Sequence, residues 1–304
     1  MTQTETTLTT APVLHPATRL GPVHYTAANA ERLAAFYRDM LGFQIHGQEG
    51  DTVRLGAGGE DLLRLTEVPG ARPSRRTTGL YHTAFLVPNR WELANLLRRI
   101  AETRTPIQGM SDHGTHHAIY LPDAEGNGIE LAWDRPQNMW PKTLNEMLAH
   151  NQGLAPEVVF SALTEREEKW TQLDAGTQVG HVHLHVSELP PTRHFYNEVL
   201  GFGLPFDFAN PAPSSFADTA IFFAAGGYHH HLGTNIWQGE GAPPPPQNAS
   251  GLRHYTIVLP DANEVNRVAE RVRADGVDIT AIEDGWLTHD PSRNGIRLVT
   301  PQHV

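Results

Sequence analysis

Two stretches of the chain concentrate side chains that can do chemistry. Residues 112–130 place His113, Tyr120 and Glu130 on a strand, a turn and a second strand. Residues 179–186 open another strand, in which His181, His183 and His185 share one face because successive side chains alternate. Imidazoles grouped with a carboxylate are the donor types of a metal centre. Thiolate ligation is excluded, as are disulfides and thiol nucleophiles, because the chain has no cysteine. That absence suits a reducing cytoplasm.

Composition narrows the partners. At 304 residues and 39% hydrophobic, the chain can build about two domains with proper cores. Its 23 basic and 34 acidic residues give a net charge of -11, with no basic run to meet nucleic acid. Small molecules are therefore the expected substrates. No segment approaches the roughly 20 apolar residues of a membrane span, so a soluble, cytoplasmic protein is expected. Residues 1–17 are rich in threonine and have no signal-peptide character, and read as a disordered tail.

The elements that must position these residues come from an internal repeat. The segment Val23 to Phe43 recurs as Val182 to Phe202, Gly79 to Pro88 recurs as Gly251 to Pro260, and Asn127 to Glu130 recurs as Asn294 to Arg297. The result is four modules, each a strand, a helix and three further strands. Helices are predicted over Ala30 to Met40, Arg90 to Glu102, Pro190 to Val199 and Asn263 to Ala274. The modules divide into domains over 18–136 and 178–304. The linker, 137–177, carries helix-compatible runs at Leu144 to His150 and Pro156 to Leu173.

The spacing in the first stretch resembles the fingerprint of extradiol ring-cleaving dioxygenases. His113, the pair Ile119-Tyr120, Asp123, Gly126 and Glu130 fit it, while Ser111 and Ala124 depart from it without removing a reactive group. The module order resembles the vicinal oxygen chelate superfamily. Within it, Gly226 to Trp237, Gly79 to His82 and Gly180 to Val186 are similar to bacterial catechol 2,3-dioxygenases of the CatE type. The resemblance implies an α+β fold of four βαβββ modules in two tandem domains, with curved mixed sheets around a metal.

In that superfamily ligands come from the first and last strands of a module. The matching positions here are Pro22 and Arg64, His82 and Glu130, His181 and the His229 to His231 segment, and His254 and Arg297. Modules two and three hold the ligands, since Pro22 cannot bind a metal and Arg297 stands where a carboxylate belongs. The resemblance thus implies that these two pair across the linker, leaving one with four, and that His82, His181 and Glu130 hold Fe(II), with Mn(II) as the alternative ion. Two histidines and one carboxylate leave adjacent positions open for a catecholate and O2. Tyr120 would hydrogen-bond a substrate oxygen and His113 would be a donor over the substrate. His230 would be the acid-base group beside O2, a role suited to an imidazole.

Strand register leaves His229 and His230 as alternatives. Aligning Gly226-Gly227 with Gly58-Gly59 sets Leu232 opposite Arg64 and favours His230. His183 and His185 read as structural or substrate-wall residues, and His254 as vestigial.

The expected activity is opening of a catechol ring with both atoms of O2. A lyase, isomerase or thiol transferase of the same fold, using Zn, Ni or Mn, would need another ligand set. The segment Tyr228 to Trp237 has no Asp or Glu to close one. A metal-free binding or resistance protein is the second alternative. The catechol's substituents stay open, as does the assembly state, a homo-oligomer included.

Overall fold

The computed structural model describes residues 13–205 and 218–304. The fold is α+β, with curved mixed sheets. The predicted helices form over Ala30–Leu41, Arg90–Thr103 and Ala262–Ala274. Each begins at an Asn or Asp (Asn29, Asn89, Asp261) whose side-chain oxygen accepts a backbone N–H three residues on. The helix of module three starts as Leu189–Arg193 and continues as a wider π-type turn over His194–Leu200.

Two sheets run through the molecule. One takes its strands from modules four and one, in the order Ile279–Ile282, Gly285–His289, Gly295–Val299, Ala249–Val258, Arg19–Ala27, Asp61–Glu67, Thr52–Gly56, Gln44–Glu49. The other takes them from modules two and three and, at one edge, the linker, in the order Gln152–Gly153, Gly109–Asp112, His116–Pro122, Gly128–Asp134, Gly79–Leu86, Gln178–His185, Leu232–Asn235, Ala220–Phe223. Module two therefore pairs with three and module one with four. At the seams, first strands meet antiparallel, with His183 opposite His82 in one sheet and His24 opposite His254 in the other. Outside the seam, each first strand runs parallel to its own module's last.

Sequence neighbours are joined differently, through the helix layer. Tyr37, on the helix of module one, packs edge-on against Phe85 of module two and donates to Asp123 of that module's turn at 3.1 Å. Tyr196 of module three likewise donates to Asp290 of module four at 3.0 Å. One contiguous apolar core results, including Tyr25, Tyr37, Phe85, Phe195, Phe223 and Tyr255.

Two expectations change at the ends of elements. Residues 1–12 of the expected tail lie outside the described residues, but Leu14 is buried and its N–H bonds Gly201 O, so Val13 to Ala17 are anchored on module three. In the linker, Leu144–His150 is helical as predicted, whereas the second run is helical only over Pro156–Phe160 with a 3-10 extension to Glu165. The charged segment Arg166 to Lys169 has no apolar stripe to bury and stays irregular, until Trp170 tucks its Nε1 onto Glu92 at 2.8 Å.

Candidate metal centre

The seam between modules two and three brings three donors to one point. His82 stands on Gly79–Leu86, His181 on Gln178–His185 and Glu130 on Gly128–Asp134. The last strand can press this closely on the first because Gly128 has no side chain: a Cβ there would lie 2.0 Å from Tyr81 O. His82 Nε2 and His181 Nε2 are 3.2 Å apart, and they lie 3.1 Å and 3.2 Å from Glu130 Oε2. Ligands about 2.1 Å from an ion and at right angles to one another would sit about 3.0 Å apart. The triad has those spacings.

Electrostatics agree with a cation's seat. Burial would raise the Glu130 carboxyl, but the imidazoles of His181, His116 and His82 packed around it outweigh that and hold it well below the usual carboxylate range. Burial lowers His181, leaving a neutral imidazole with a lone pair to give. His116 Nε2 lies 3.0 Å from Glu130 Oε1 but off the hydrogen-bonding direction, so among the described residues this buried oxygen has no aligned donor.

A cavity of about 530 Å³ opens over the triad. Tyr81, Phe222 and Trp237 supply flat apolar walls, while His113, Tyr120 and His230 supply the polar side. Tyr120 OH and His113 Nε2 are 2.7 Å apart. Burial pushes the phenol well above its ordinary value and His113 down to about 3, so both are neutral, and each has one proton to donate. The His230 ring centre lies 4.2 Å from that of His181, and burial holds His230 well below its ordinary value.

The strand expected over His229 to His231 is not one: the ladder begins at Leu232. Alternation therefore does not operate there, and both His229 and His230 line the cavity, while His231 turns away and accepts from Ala225 N. The alignment behind the choice of His230 was one residue out. Arg64 pairs with His24 as Gly233, not Leu232, pairs with His183. His183 is a cavity wall whose buried Nε2 has no hydrogen-bond partner among the described residues, and His185 is fixed by Asn235 at 2.8 Å.

The counterpart seam in the other sheet has Pro22 and Arg297 where His181 and Glu130 stand. Arg297 is paired with Asp284, and His24 and His254 meet edge-on with ring centres 4.8 Å apart. Burial, with arginines close by, depresses these two to about 3 and about 2.

Two residues of the centre escaped the sequence reading. His116 and Asp134 lie directly opposite each other in the strand pair that also sets Tyr120 opposite Glu130. They are four residues from those two, an even step that keeps them on the site face. His116, Asp134 and His229 also bring donor atoms within 4.8 Å of one another. These atoms are already engaged: His229 Nε2 with Asp134 Oδ1 at 3.0 Å, and His116 Nδ1 with Thr115 Oγ1 at 2.8 Å.

Paired βαβββ modules with two histidines and one carboxylate at their seam define a metal-centre fold of the vicinal-oxygen-chelate kind. The chain belongs to the Glyoxalase/Bleomycin resistance protein/Dioxygenase superfamily, whose model matches residues 19–131 and 178–289. It is 39% identical over 287 residues to a catechol-2,3-dioxygenase of Bacillus subtilis (strain 168), an alignment covering 91% of this chain and 95% of that one. Glyoxalase I from Zea mays, 14% identical, superposes with a TM-score of 0.56 over 94% of each chain. The cppA protein from Streptococcus pneumoniae, 12% identical, gives 0.54 over 93% of this chain and 98% of its own. These two likenesses are of fold. Among the described residues, no helix is long and apolar enough to cross a membrane.

Proposed function

We propose that the chain is a cytoplasmic, Fe(II)-dependent extradiol dioxygenase, opening a catechol ring beside its diol with both atoms of O2. The observation that carries this reading is the bare triad of His82, His181 and Glu130, spaced for one ion beneath a cavity with flat apolar walls. The likeness to a catechol-2,3-dioxygenase over nearly the whole chain supports it. A closed four-ligand centre of lyase type is disfavoured, because Leu232–Asn235 brings Gly233 rather than a carboxylate to the seam.

Iron fits the donor set, since two imidazoles and a carboxylate on one face are the ligands of non-haem Fe(II) oxygenases. When bound, iron would bring the diol and O2 to adjacent positions and let electrons pass between them. The chain's own groups do the rest. Tyr81, Phe222 and Trp237 bind the ring face and keep water off it. Tyr120 donates its phenolic proton to a substrate oxygen, and His113 accepts or donates on the other side of that bond. Neutral His230 takes a proton from the catechol and returns it when the ring opens.

The test is anaerobic loading of the full chain with Fe(II), then addition of catechol and of air. A yellow ring-opened semialdehyde with one O2 consumed per catechol is expected. Mn(II) tested in parallel identifies the working ion. Turnover of a thiol adduct without O2 uptake would replace this reading with the lyase one.

A further inference from the structure

A chain of hydrogen bonds joins His230 through His229 to Asp134 and Tyr228. Asp134 Oδ1 lies 3.0 Å from His229 Nε2, and His229 Nδ1 lies 2.8 Å from His230 Nδ1. The second oxygen of Asp134 accepts from Tyr228 OH at 2.9 Å, so the carboxylate is held at both ends. Trp140 closes edge-on over the His229 ring at 5.0 Å, and the His116 ring stacks on it at 4.9 Å. His229 and His230 are both buried, and His230 makes no other hydrogen bond among the described residues.

Donor and acceptor logic fixes the proton positions along this chain. A carboxylate only accepts, so His229 must present Nε2–H to Asp134. The other nitrogen of a neutral His229 is then a bare lone pair, which must accept from Nδ1–H of His230. His230 is left with its proton on Nδ1 and a lone pair on Nε2, the nitrogen free to face the cavity. We propose that Asp134 and His229 are positioning residues that set the tautomer and orientation of His230, so that its unprotonated Nε2 faces the substrate. His229 is thereby neither a ligand nor a rival to His230. The inference rests on the dioxygenase reading for what His230 does, but not for how it is held.

Two measurements on the full chain test it. In the metal-free protein with ¹⁵N-labelled histidine, His230, assigned by its loss in His230→Asn, should show an Nδ1-protonated ring. Asp134→Asn should scramble that state: the amide can turn its NH2 toward His229 and move the proton to the wrong nitrogen. An Nε2-protonated His230, or a state indifferent to Asp134→Asn, overturns the proposal whatever the enzyme's activity. In the iron-loaded enzyme, Asp134→Asn and His229→Asn should lower kcat by about 10–100-fold while leaving KM and iron content near the parent's. Asp134→Glu should recover part of the loss. In a His230→Asn background, Asp134→Asn should cost nothing further, because its effect passes through His230. Multiplicative losses in the double variant, or loss of iron from Asp134→Asn, would overturn it. A parent enzyme that fails to cleave catechol would sink the dioxygenase reading, and the tautomer would still decide this one.

Discussion

The centre depends on a few side chains that are expensive to bury and have little to do without a cation. Glu130 is 1% exposed among three imidazoles, one oxygen within 3.2 Å of two of them. Removing one ligand breaks the set, so His82→Ala, Glu130→Ala and His181→Ala should each lose stoichiometric iron by metal analysis, and with it turnover. His254→Ala should keep both, since its seam has Arg297 in place of the carboxylate. Retention of iron by His82→Ala and its loss from His254→Ala would move the centre to the other sheet. His230→Gln should still bind iron and catechol, yet turn over about 10²–10⁴-fold more slowly, the usual cost of losing an acid-base group. Stopped-flow separation of binding from oxygen consumption checks this, and loss of iron would make His230 a ligand.

At the scale of the element, turns hold the helix layer to the sheets, and one of them should register pH. In a buried turn, Asp290 accepts from Ser292 N, Asn294 N and Asn294 Nδ2, and from Tyr196 OH on the helix packed against it. Burial outweighs these bonds and raises its carboxyl from 3.8 to about 6. The folded state therefore grips this proton more tightly than the unfolded chain does. Its contribution is fully present below about pH 4 and is lost as pH rises to about 6. Compared with Asp290→Asn, the parent should lose on the order of 3 kcal/mol across that interval. Denaturant titrations at pH 4 and 7 measure it, and parallel curves for the two proteins would refute it.

The elements were the most legible part of the sequence. Amphipathic periods marked three helices to within a residue or two, and the Asn or Asp caps that start them in the structure are just as local. Glu130 was readable from its spacing to Tyr120 in the fingerprint and from its place in the module repeat. The His229 to His231 segment was not, because its shape is set by long-range contacts: His231 N bonds Phe223 O, and His229 bonds Asp134. His116 and Asp134 follow from strand alternation, four residues from Tyr120 and Glu130, but they are not part of the fingerprint.

For the whole molecule, cross-pairing of the modules makes the centre a joint product of both halves. The exposed, irregular segment Arg166 to Lys169 is the place to divide the chain, as Gln152–Gly153 is already engaged with Ser111 and Asp112. The first half has His82 and Glu130, the second His181, and each half lacks the partner strands of both sheets. Neither half expressed alone should bind iron at the affinity of the parent. Mixed halves should recover binding and ring opening in proportion to the heterodimer seen by sedimentation. Activity in the second half alone would mean a centre built without Glu130.

The same cross-pairing imposes an order on biosynthesis. When the strand ending at Leu86 leaves the ribosome, its bonding edge must wait for the strand that starts at Gln178, and the edge of Arg19–Ala27 must wait for Ala249–Val258. At about 5–20 residues per second, those waits last many seconds. Unsatisfied strand edges are templates for pairing with other chains. The nascent first half is thus the stage at which the protein is most exposed to misassociation, and a chaperone would be needed there rather than at release.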